Sequence, residues 1–413
     1  MSTYDVIIIG AGAAGLLAAA RAAERGRHAL LLEKNTKAGV KILMSGGTRC
    51  NITQDTDEAG IVRAFGKPGR FLHSALAALG PKRLIELIEA EGVATKVEPT
   101  GKIFPVSDSA VDVQQAFLGR MNRSGADLAL SEPVLSIALG GPHEFFVETP
   151  QRKLTARAIL LTTGGQSYPD AGTTGDGYAW AKELGHTIIP PRPALVPISS
   201  GDSWIADLRG VTIPDVEIRV VDPAVGRKKP LDVRRGSFLL THFGISGPAV
   251  LDVSRAITGH HTPNTLVLEC DFLPMLSRTQ LEEQLNTQLQ VHGGKQIANV
   301  HLEETPVRLW QAILARSEIA PERRAAELDK KSRARIVEHL KSTMISVAGT
   351  RGFKKAEVTA GGIDLREVNS STMESKLVPG LYFAGEILDL DGPIGGYNFQ
   401  AAFSTGWLAG ESV

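Results

Sequence analysis

The N-terminal part of the chain alternates short apolar runs with glycine-rich turns. The run YDVIII (Tyr4–Ile9) is apolar at nearly every position, which is typical of a parallel strand buried on both faces. After GAGAAG, the alanine-rich run from Leu16 to Glu24 predicts a helix that ends at Gly26. The stretch HALLLE predicts a second strand, which ends at Glu33. This order of elements predicts an α/β fold that begins as a Rossmann-like domain.

The turn after the first strand has the G-x-G-x-x-G spacing of a dinucleotide-binding loop. Gly10 permits the tight turn, Gly12 lets the backbone approach a pyrophosphate, and Gly15 lets the helix pack on the strand. The helix N-terminus offers N–H groups to phosphates, and Glu33 is placed to accept hydrogen bonds from ribose hydroxyls. An acid there repels a 2′-phosphate, which disfavours NADP. A glycine-rich turn that holds nothing is the alternative, but these elements together favour a dinucleotide, either NAD or FAD.

A later stretch repeats the pattern of a buried strand followed by glycines. Residues 158–162 predict a strand, and Thr163-Gly164-Gly165 forms the turn at its carboxyl end. A second glycine-rich loop at 170–177 precedes a predicted helix at 178–184. Ligands of α/β sheets bind at this edge, so the turn is a candidate cofactor contact.

The C-terminal stretch shows the same pattern again. Residues 380–384 predict a strand that ends at Gly385-Glu386, and Gly395-Gly396 precede a predicted helix at Tyr397–Leu408. The positive dipole end of that helix suits the negative charge that a flavin gains on reduction. A flavin is long and needs contacts from several segments, so the three stretches favour FAD over NAD.

The pattern changes between Arg192 and Lys355. VEIRVV and GSFLLTHFGISGPAVLDVS predict antiparallel strands, and the region from Phe272 to Val347 predicts helices at LEEQLNTQLQ, VRLWQAILARS and RARIVEHLKSTM. We expect an inserted β-barrel that itself carries a helical insertion and caps the flavin, shaping a substrate pocket. The predicted domains are 1–193 with 356–413 for FAD binding, 194–272 with 346–355 for the barrel, and 273–345 for the helical insert.

Composition narrows the class of protein further. The 413 residues carry a formal net charge of zero, so nothing draws the whole chain to nucleic acid or membrane. Cys50 and Cys270 are far apart and give neither a disulfide framework nor a metal site, which fits a reducing compartment. The apolar start is not interpreted as a secretion signal, because Asp5 stands where a basic region belongs. We expect a soluble cytoplasmic protein that uses no metal and contacts no membrane.

Seven stretches spread over the chain resemble one bacterial flavoprotein family. They are GAGAAG (10–15), Glu33-Lys34, KILMSGGTRCN (41–51), TTGGQSYPDAGTTGDG (162–177), THFGISGPAVL (241–251), VTAGGI (358–363) and GLYFAGEILDLDGPIGGYNFQAA (380–402). The family includes the aminoacetone oxidases and the bile-acid-inducible flavin reductases, within the two-dinucleotide-binding-domain flavoproteins. The resemblance implies non-covalent FAD. Thr48 departs from it, since relatives often have glycine there, and narrows the space for backbone approach.

The resemblance also implies which residues meet the cofactor. Those assigned are Gly10, Gly12, Ala13, Ala14, Gly15, Glu33 and Lys34 for the ADP half; Thr163, Gly164 and Gly165 beside it; Gly385 and Glu386 at the ribityl chain and pyrophosphate; and Gly396, Tyr397 and Asn398 at the isoalloxazine. Val134, within the predicted strand PVLSIAL, would meet the adenine through its backbone. The segment SGGTRCN (Ser45–Asn51) is interpreted as a flavin cradle. Its predicted contacts are the backbone of Ser45, Gly46 and Gly47, the charge of Arg49, the Cys50 position and the amide of Asn51, with Lys41 upstream for phosphate or ribityl oxygens.

Three residues are candidates for chemistry: Cys50, His242 and Tyr397. Arg49 could lower the pKa of Cys50 and make it a proton donor, although Cys50 lacks a C-x-x-C partner and otherwise packs behind the loop. His242 lies in a glycine-rich turn and is either a proton donor or acceptor beside the substrate or a turn histidine satisfied by backbone. Tyr397 is interpreted first as a cofactor contact.

The predicted function is hydride transfer between flavin N5 and an unidentified substrate, with NAD(P)H as donor or O₂ as acceptor. The substrate is a small amine, an enone or an RNA base. Basic clusters at 227–229, 234–235, 330–335 and 354–355 are either a solvated face or an RNA phosphate surface. The resemblance implies one alternative, a flavoprotein that reduces uridine in ribosomal RNA as relatives in the broader family do. The basic clusters suggest another, a protein that binds flavin and RNA without turnover.

Overall fold

The computed structural model describes residues 3–413. Its strands, numbered in chain order, are β1 (Thr3–Ile9), β2 (Ala29–Leu32), β3 (Thr53–Gln54), β4 (Thr95–Val97), β5 (Lys102–Pro105), β6 (Asp127–Ala129), β7 (Ser136–Gly141), β8 (Glu144–Glu148), β9 (Lys153–Leu161), β10 (Ile188–Ala194), β11 (Ile198–Ser199), β12 (Thr212–Val221), β13 (Asp232–Thr241), β14 (Gly244–Ser246), β15 (Val267–Asp271), β16 (Thr343–Ser346), β17 (Gly349–Thr350), β18 (Val358–Ile363) and β19 (Leu381–Phe383).

Its α-helices, numbered in the same way, are α1 (Ala13–Glu24), α2 (Val40–Met44), α3 (Glu58–Phe65), α4 (His73–Ala78), α5 (Pro81–Ala90), α6 (Ala110–Ser124), α7 (Asp176–Glu183), α8 (Ser203–Asp207), α9 (Pro248–Thr258), α10 (Arg278–Val291), α11 (Val307–Arg316), α12 (Lys330–Lys341) and α13 (Tyr397–Ser412). The chain divides into two compact units. The first comprises the chain up to Pro193 together with Glu357–Val413, and the second comprises Ala194–Ala356.

The first unit is built on a parallel sheet with an antiparallel edge. β6, β2, β1 and β9 lie side by side in that order, and each neighbouring pair is parallel. The other edge of β9 is shared, since β8 pairs antiparallel with its first half and β19 pairs parallel with its second half. The carboxyl ends of β1, β2, β9 and β19 therefore meet at one edge of the sheet, where ligands of such folds bind. The predicted Rossmann-like α/β fold is confirmed.

Two helices rich in small residues pack on each other within this unit. A Cβ atom added at Gly406 of α13 would lie 2.3 Å from Ala14 O of α1, and one added at Gly410 would lie 2.4 Å from Ala18 O. The contacts advance together along both helices, so the helices are parallel. The N-terminus of α13 extends past that of α1 by about eight residues, or roughly 12 Å at 1.5 Å per residue. Both positive dipole ends face the carboxyl edge of the sheet.

Most of the predicted elements of this unit are confirmed, with shifted ends. α1 begins at Ala13 rather than Leu16, and α13 continues to Ser412 rather than ending at Leu408. Both differences arise because small polar and glycine-rich ends do not mark a helix boundary clearly. One placement is wrong: Val134 was predicted within a strand, but β7 begins only at Ser136.

The second unit contains a seven-stranded antiparallel sheet. The strand order is β16, β15, β12, β13, β14, β11 and β17. Only Val347 and Ala348 separate the two edge strands in sequence, so the chain itself holds both edges side by side. The three predicted helices are present as α10, α11 and α12, and they bury Trp310, whose Nε1 donates to Ile297 O at 2.9 Å.

Two sequence predictions for this unit are wrong. The stretch PAVLDVS was predicted to continue the strands, but it forms α9, in which Val250, Val253 and Ile257 are buried at helical spacing. The predicted helix RARIVEHLKSTM extends to Met344, but Thr343 and Met344 belong to β16 because their backbone pairs with β15. The boundary between barrel and helical insert stays a prediction, and the first two residues of the predicted FAD-binding domain lie outside the described part.

Within residues 3–413, every helix is too short or too polar to pass through a lipid bilayer.

Candidate functional site

The first glycine-rich turn has open space at one glycine and none at the other two. A Cβ atom added at Gly10, where φ is +105°, would lie 2.7 Å from Thr162 O, and one added at Gly15 would lie 2.0 Å from Gly10 O. One added at Gly12 would meet nothing within 4 Å. The fold itself therefore requires Gly10 and Gly15, whereas the space at Gly12 is available to a ligand. Ala13 starts α1, whose N-terminus has no side-chain cap and can serve an anion.

Glu33 is buried just after β2 and bridges two backbone segments. Its Oε2 accepts a hydrogen bond from Ala11 N at 2.8 Å, and its Oε1 accepts one from Asn35 N at 2.9 Å. The carboxylate thus fixes the glycine-rich turn. Each carboxylate oxygen can accept a further hydrogen bond, so the predicted ribose contact remains chemically open.

Two other predicted ADP contacts lie beside Glu33. Lys34 Nζ donates to Asp176 Oδ2 at 2.6 Å, which ties this end of β2 to the start of α7. Val134 lies two residues after Glu132, whose N–H donates to Glu33 O at 2.9 Å. Val134 is therefore at the same sheet edge as Glu33, as an adenine contact would require.

The turn after β9 presents a polar atom without a partner. Thr163 Oγ1 is buried and has no hydrogen-bond partner within residues 3–413. Gly164 has φ +71°, and a Cβ atom added at Gly165 would lie 2.4 Å from Thr359 Oγ1. The turn is therefore tightly packed on β18, and the Thr163 hydroxyl is a hydrogen-bonding group left available there.

The SGGTRCN segment has an unusual backbone. Gly46, Gly47, Thr48 and Cys50 have φ values of 56°, 68°, 69° and 61°. Residues with side chains adopt this left-handed region rarely, and a β-branched threonine is an outlier in it. A Cβ atom added at Gly47 would meet nothing within 4 Å. The segment thus holds a strained, exposed backbone, which is typical of functional loops.

Arg49 is engaged with side chains of the protein itself. Its Nη1 donates to Glu98 Oε1 at 2.6 Å and lies 3.4 Å from Asp108 Oδ1. Its guanidinium also lies over the Phe104 ring, 4.0 Å from the centroid. These contacts account for its charge, and the predicted contact of Arg49 with the flavin stays a prediction.

Cys50 is completely buried. Burial raises the pKa of its thiol to about 12, against the opposing effect of a hydrogen bond with Ser45. The neighbouring Arg49, expected to lower this pKa, is not among the groups that affect it. The environment therefore favours packing behind the loop over a reactive thiolate.

Asn51 joins the SGGTRCN segment to the N-terminus of α13. With its amide oriented to satisfy both partners, Asn51 donates to Thr53 O at 3.1 Å and accepts from Gly396 N at 2.9 Å. Gly396 must be glycine, since a Cβ atom there would lie 2.6 Å from Thr53 O. α13 has no side-chain cap, and Tyr397 is its first residue. Its remaining first-turn N–H groups are suited to an anionic or electron-rich ligand.

Two other predicted contacts hold the loops around α13. Asn398 Oδ1 accepts from Gly392 N at 2.8 Å, and its Nδ2 donates to Gly392 O at 3.0 Å. Gly385 N donates to Thr405 Oγ1 at 2.9 Å, and a Cβ atom added at Gly385 would lie 3.0 Å from Ala14 Cβ. The Asn398 side chain therefore clamps a loop, which leaves its backbone for the predicted isoalloxazine contact.

Lys41 and Glu386 form the centre of a charged network at the sheet edge. Lys41 Nζ donates to Glu386 Oε2 at 2.5 Å and to Ser167 Oγ at 2.7 Å. Glu386 Oε1 accepts from Ser167 Oγ and from Thr359 N, both at 2.8 Å. Both oxygens of Glu386 are thus occupied, and one N–H of the Lys41 ammonium is left for a ligand.

Sequence reasoning missed a tyrosine–glutamate pair beside this network. Tyr168 Oη donates to Glu357 Oε1 at 3.1 Å. Burial raises the Glu357 pKa, as does the nearby Glu386, while Tyr168 and Lys41 oppose the rise. Burial, and then the Glu357 charge, raise the Tyr168 pKa to about 12. The triplet Ser-Tyr-Pro, one residue after the predicted turn, was the available signal for the tyrosine.

His242 lies in the second unit, at the turn between β13 and β14. Its side chain is exposed and its ring packs edge-on against Phe243, 5.1 Å between centroids. Its role beside a substrate stays a prediction. In the described residues, no group of three or more His, Cys, Asp or Glu side chains has the arrangement of a metal site.

The residues of the first unit fit FAD. The empty space at Gly12, the unpartnered Thr163 hydroxyl and the uncapped N-termini of α1 and α13 lie along one sheet edge. A dinucleotide phosphate and an electron-poor ring system need such donors. Of the predicted cofactor contacts, Gly12 and Gly47 leave open space for close backbone approach, and Lys41 and Thr163 each keep an unused hydrogen-bonding position.

Comparisons with known proteins agree with this architecture. The family model described as the HI0933-like protein Rossmann domain matches residues 4–412. A ribosomal RNA dihydrouridine synthase of Escherichia coli is 33% identical over 100% of this chain and 98% of its own length. The enzyme of that name from Haemophilus influenzae is 32% identical over 100% and 99%. A 3-dehydro-bile acid delta(4,6)-reductase of Clostridium scindens is 31% identical over 98% of each chain.

The chain belongs to the HI0933-like family. The family predicted from the seven sequence stretches is therefore confirmed.

Proposed function

We propose that this HI0933-like protein is a FAD-dependent oxidoreductase that reduces a carbon–carbon double bond conjugated to a carbonyl group. One observation carries the cofactor assignment: α1 and α13 are parallel, and their positive ends face the same sheet edge about 12 Å apart. The ribityl chain of FAD likewise separates an anionic pyrophosphate from a ring that becomes anionic on reduction. A nicotinamide dinucleotide has no comparable use for the second helix.

The chain's own residues bind and orient the cofactor. We assign the α1 N-terminus and the space at Gly12 to the pyrophosphate, Glu33 to the ribose, and the α13 N-terminus to the ring. Lys41, which is paired with Glu386, keeps one N–H that we assign to a phosphate or ribityl oxygen. FAD, when bound, supplies hydride transfer at N5.

The substrate class follows from the names of two relatives. Dihydrouridine forms when the double bond of the uracil ring, conjugated to a ring carbonyl, is saturated, and the bile-acid reductase is named for double bonds in a 3-dehydro steroid. Both reactions add a hydride and a proton across a conjugated double bond. Reduction requires an electron donor, and we propose NAD(P)H for it.

RNA is the substrate that two of the curated relatives favour. In the second unit, several arginines of the basic clusters are engaged: Arg235 pairs with Asp215 at 2.6 Å, and Arg335 pairs with Glu318 at 2.6 Å. The exposed lysines of these clusters are the better candidates for phosphate contacts; they are Lys228, Lys229, Lys330, Lys331, Lys354 and Lys355. A small enone is the second candidate substrate, supported by the reductase relative.

Absorbance spectroscopy of the purified protein tests the cofactor and the donor. We expect a yellow protein whose flavin band bleaches with NADH or NADPH under anaerobic conditions. The reduced protein is then mixed with cyclohex-2-enone, with unmodified ribosomal RNA transcript or with O₂, and reoxidation is followed. A colourless protein that takes up no added FAD contradicts the proposal. Bleaching followed by reoxidation with O₂ alone contradicts the proposed substrate class.

Filter binding of the same RNA tests the lysine surface. Replacement of Lys228, Lys229, Lys330 and Lys331 with glutamine should weaken binding and reduce its salt dependence. The matched control replaces four exposed lysines of the first unit, which are Lys67, Lys82, Lys153 and Lys182. An equal loss of RNA affinity in both variants would show nonspecific attraction. It would mean that the lysines of the second unit are not a specific RNA-binding surface.

A further inference from the structure

Tyr168 has a strained backbone at the carboxyl edge of the Rossmann sheet. It follows the turn after β9, and its φ is 54°, in the left-handed region that aromatic residues rarely adopt. The preceding residue, Ser167, binds both Lys41 and Glu386. Such strain persists only where the surroundings hold it, and it concentrates at functional sites. The Tyr168 side chain is partly exposed at this edge of the sheet.

The partner of Tyr168 is a glutamate with limited access to water. Tyr168 Oη donates to Glu357 Oε1 at 3.1 Å, and Glu357 directly precedes β18. The charged groups that face Glu357 are Lys41 and Glu386, which oppose each other in their effect on it. A tyrosine hydroxyl that is paired with a partly buried carboxyl forms a two-member proton path from the sheet edge inward.

We propose that Tyr168 donates the proton that completes reduction of the conjugated double bond, and that Glu357 acts through Tyr168 by resupplying this proton. The inference rests on the proposed function, whose reaction needs one hydride and one proton. Of the residues predicted from sequence for the chemistry, Cys50 is completely buried, and Tyr397 was predicted first as a cofactor contact.

The proposed reduction adds one hydride and one proton across the conjugated double bond. The substrate carbon β to the carbonyl receives the hydride supplied by the reduced flavin, and NAD(P)H is the reductant that restores the flavin. The α-carbon forms a bond to the proton of Tyr168 Oη, whose O–H bond breaks. The carboxyl proton of Glu357 then moves to the Tyr168 phenolate, and solvent reprotonates Glu357. One double bond is lost, and the substrate gains two hydrogens and two electrons.

The resting hydrogen bond sets the pH dependence. An ionised Glu357 accepts the Tyr168 proton and keeps it turned away from the substrate. A protonated Glu357 donates to Tyr168 Oη instead and frees the phenol proton for the α-carbon. Because burial raises the Glu357 pKa, this carboxyl keeps its proton to higher pH than an exposed glutamate. Double-bond reduction should therefore slow as pH rises through the Glu357 pKa.

Rapid mixing of the NADPH-reduced holoenzyme with cyclohex-2-enone, or with ribosomal RNA transcript, tests the tyrosine. Tyr168→Phe should slow reoxidation by about a hundredfold or more, the usual loss for a general acid. Bleaching by NADPH and reoxidation by O₂ should be unchanged, since neither needs this proton. The matched control is Tyr382→Phe, a buried tyrosine on β19 in the same unit, which should leave all three rates unchanged.

The pH dependence of the reoxidation rate tests the role of Glu357. Glu357→Gln carries an amide that donates to Tyr168 Oη at every pH, so the fall in the reoxidation rate at high pH should disappear. A merely structural role for Glu357 would lower the rate without changing the shape of the profile. An unchanged Tyr168→Phe rate, or an unchanged profile in Glu357→Gln, overturns the proposal.

A measurement on the apo-protein tests the interaction between Tyr168 and Glu357 without the cofactor. In apo-protein labelled with ¹³Cζ-tyrosine, the Tyr168 signal is assigned by its loss in Tyr168→Phe and is then titrated with base. Its pKa of about 12 should fall in Glu357→Gln, since the Glu357 charge contributes to the rise. No shift would show that the two side chains do not interact. A holoenzyme that bleaches normally but reduces neither probe would instead count against the proposed function alone.

Discussion

The contrast between Gly12 and Gly15 separates what the fold needs from what a ligand needs. Both glycines belong to one turn and both fit the same sequence motif. A methyl group at Gly15 would collide with Gly10 O, whereas one at Gly12 would enter empty space. Gly12 also has ordinary extended backbone angles, with φ −83° and ψ −165°. Nothing in the protein therefore requires glycine at position 12, which leaves close approach of a ligand as the reason for it.

This contrast predicts opposite behaviour for two alanine variants. Gly12→Ala should leave the stability of the apo-protein unchanged and weaken FAD by about 1.4 kcal/mol or more, a tenfold loss of affinity. Gly15→Ala should destabilise the apo-protein by about 1–3 kcal/mol through overpacking. Urea unfolding of both apo-proteins and titration with FAD give the two quantities. A Gly12→Ala protein that binds FAD as the wild type does would place the pyrophosphate elsewhere.

At Cys50, burial and not the adjacent Arg49 determines the direction in which the thiol pKa is shifted. Arg49 stands next to it in sequence but is held by Glu98 and Asp108. The thiol is completely buried, and burial raises its pKa to about 12. The thiolate is the reactive form, so a neutral solution contains almost none of it at this site.

We therefore expect Cys50 to resist alkylation by iodoacetamide at pH 8 in the folded protein and to react after unfolding in urea. Cys50→Ser should retain FAD and keep its turnover within about twofold, since a buried neutral thiol does no proton transfer. Peptide mass spectrometry locates the label, and Cys270, also buried, serves as the internal comparison. Rapid labelling of native Cys50 alone would contradict the assignment.

At the scale of elements, the sequence predicted the helices and strands that are marked by residue spacing within a short stretch. β1, α1 and α13 follow from apolar runs, small residues and glycine spacing. The stretch PAVLDVS was misassigned because valine favours strands, although Val250 and Val253, with Ile257 after them, already had helical spacing. The short β16 could not be predicted, because its identity comes from pairing with β15, far away in sequence.

The candidate site was predictable only in part for the same reason. Its motifs indicate which segments approach the cofactor. They do not indicate which side chains in those segments bond to other protein groups instead of to the cofactor. Lys41 and Glu386 were both predicted as cofactor contacts, yet they form an ion pair across 345 positions of sequence. Tyr168 and Glu357 meet across 189 positions. Tyr168 lies within the stretch at 162–177, but nothing in that stretch indicates that Glu357 is its partner.

The packing of α13 on α1 gives a prediction at this scale. Gly406→Ala should destabilise the protein by about 1–3 kcal/mol, because its methyl group would meet the Ala14 backbone at 2.3 Å. It should also release FAD, since the α13 N-terminus would shift. Gly119→Ala in α6 is the control, because its methyl group would meet only the mobile end of Arg123. That control should gain up to about 1 kcal/mol from helix propensity.

Urea unfolding and FAD titration of both variants measure this effect. Similar stability changes in Gly406→Ala and Gly119→Ala would show that the α1–α13 contact adapts, and the argument from parallel helices would lose its basis.

At the scale of the whole molecule, both ends of the chain build one unit. β1 and α1 come from the N-terminus, whereas β19 and α13 come from the C-terminus, and the strands of both segments flank β9. Because the second unit is inserted between them in sequence, the sheet edge proposed for the cofactor needs both segments of the first unit. We expect FAD to stabilise the folded form, since a ligand that binds only the folded form shifts the unfolding equilibrium.

A buried histidine ties together segments of this first unit. His186 lies between α7 and β10, with Nδ1 3.1 Å from Glu367 Oε2 and Nε2 2.8 Å from Ser375 Oγ. Ser375 Oγ accepts N–H groups from Leu377 and Val378, so its own hydrogen is left to be donated to Nε2. The ring is therefore neutral, with its proton on Nδ1. Burial lowers the His186 pKa, and the Glu367 charge opposes this only partly.

The lowered pKa makes the stability of the folded protein depend on pH. An unfolded histidine titrates near pH 6.5, so as pH falls below that value the unfolded chain binds a proton that the folded chain does not. The stabilisation is complete above about pH 6.5 and is lost on acidification, by at most about 1.4 kcal/mol per pH unit. His186→Gln should flatten this slope between pH 7 and 5. His261→Gln, an exposed histidine of the second unit, should keep the wild-type slope. Urea unfolding across this range measures all three slopes, and equal slopes for wild type and His186→Gln would show that His186 protonates in the folded protein as readily as in the unfolded one.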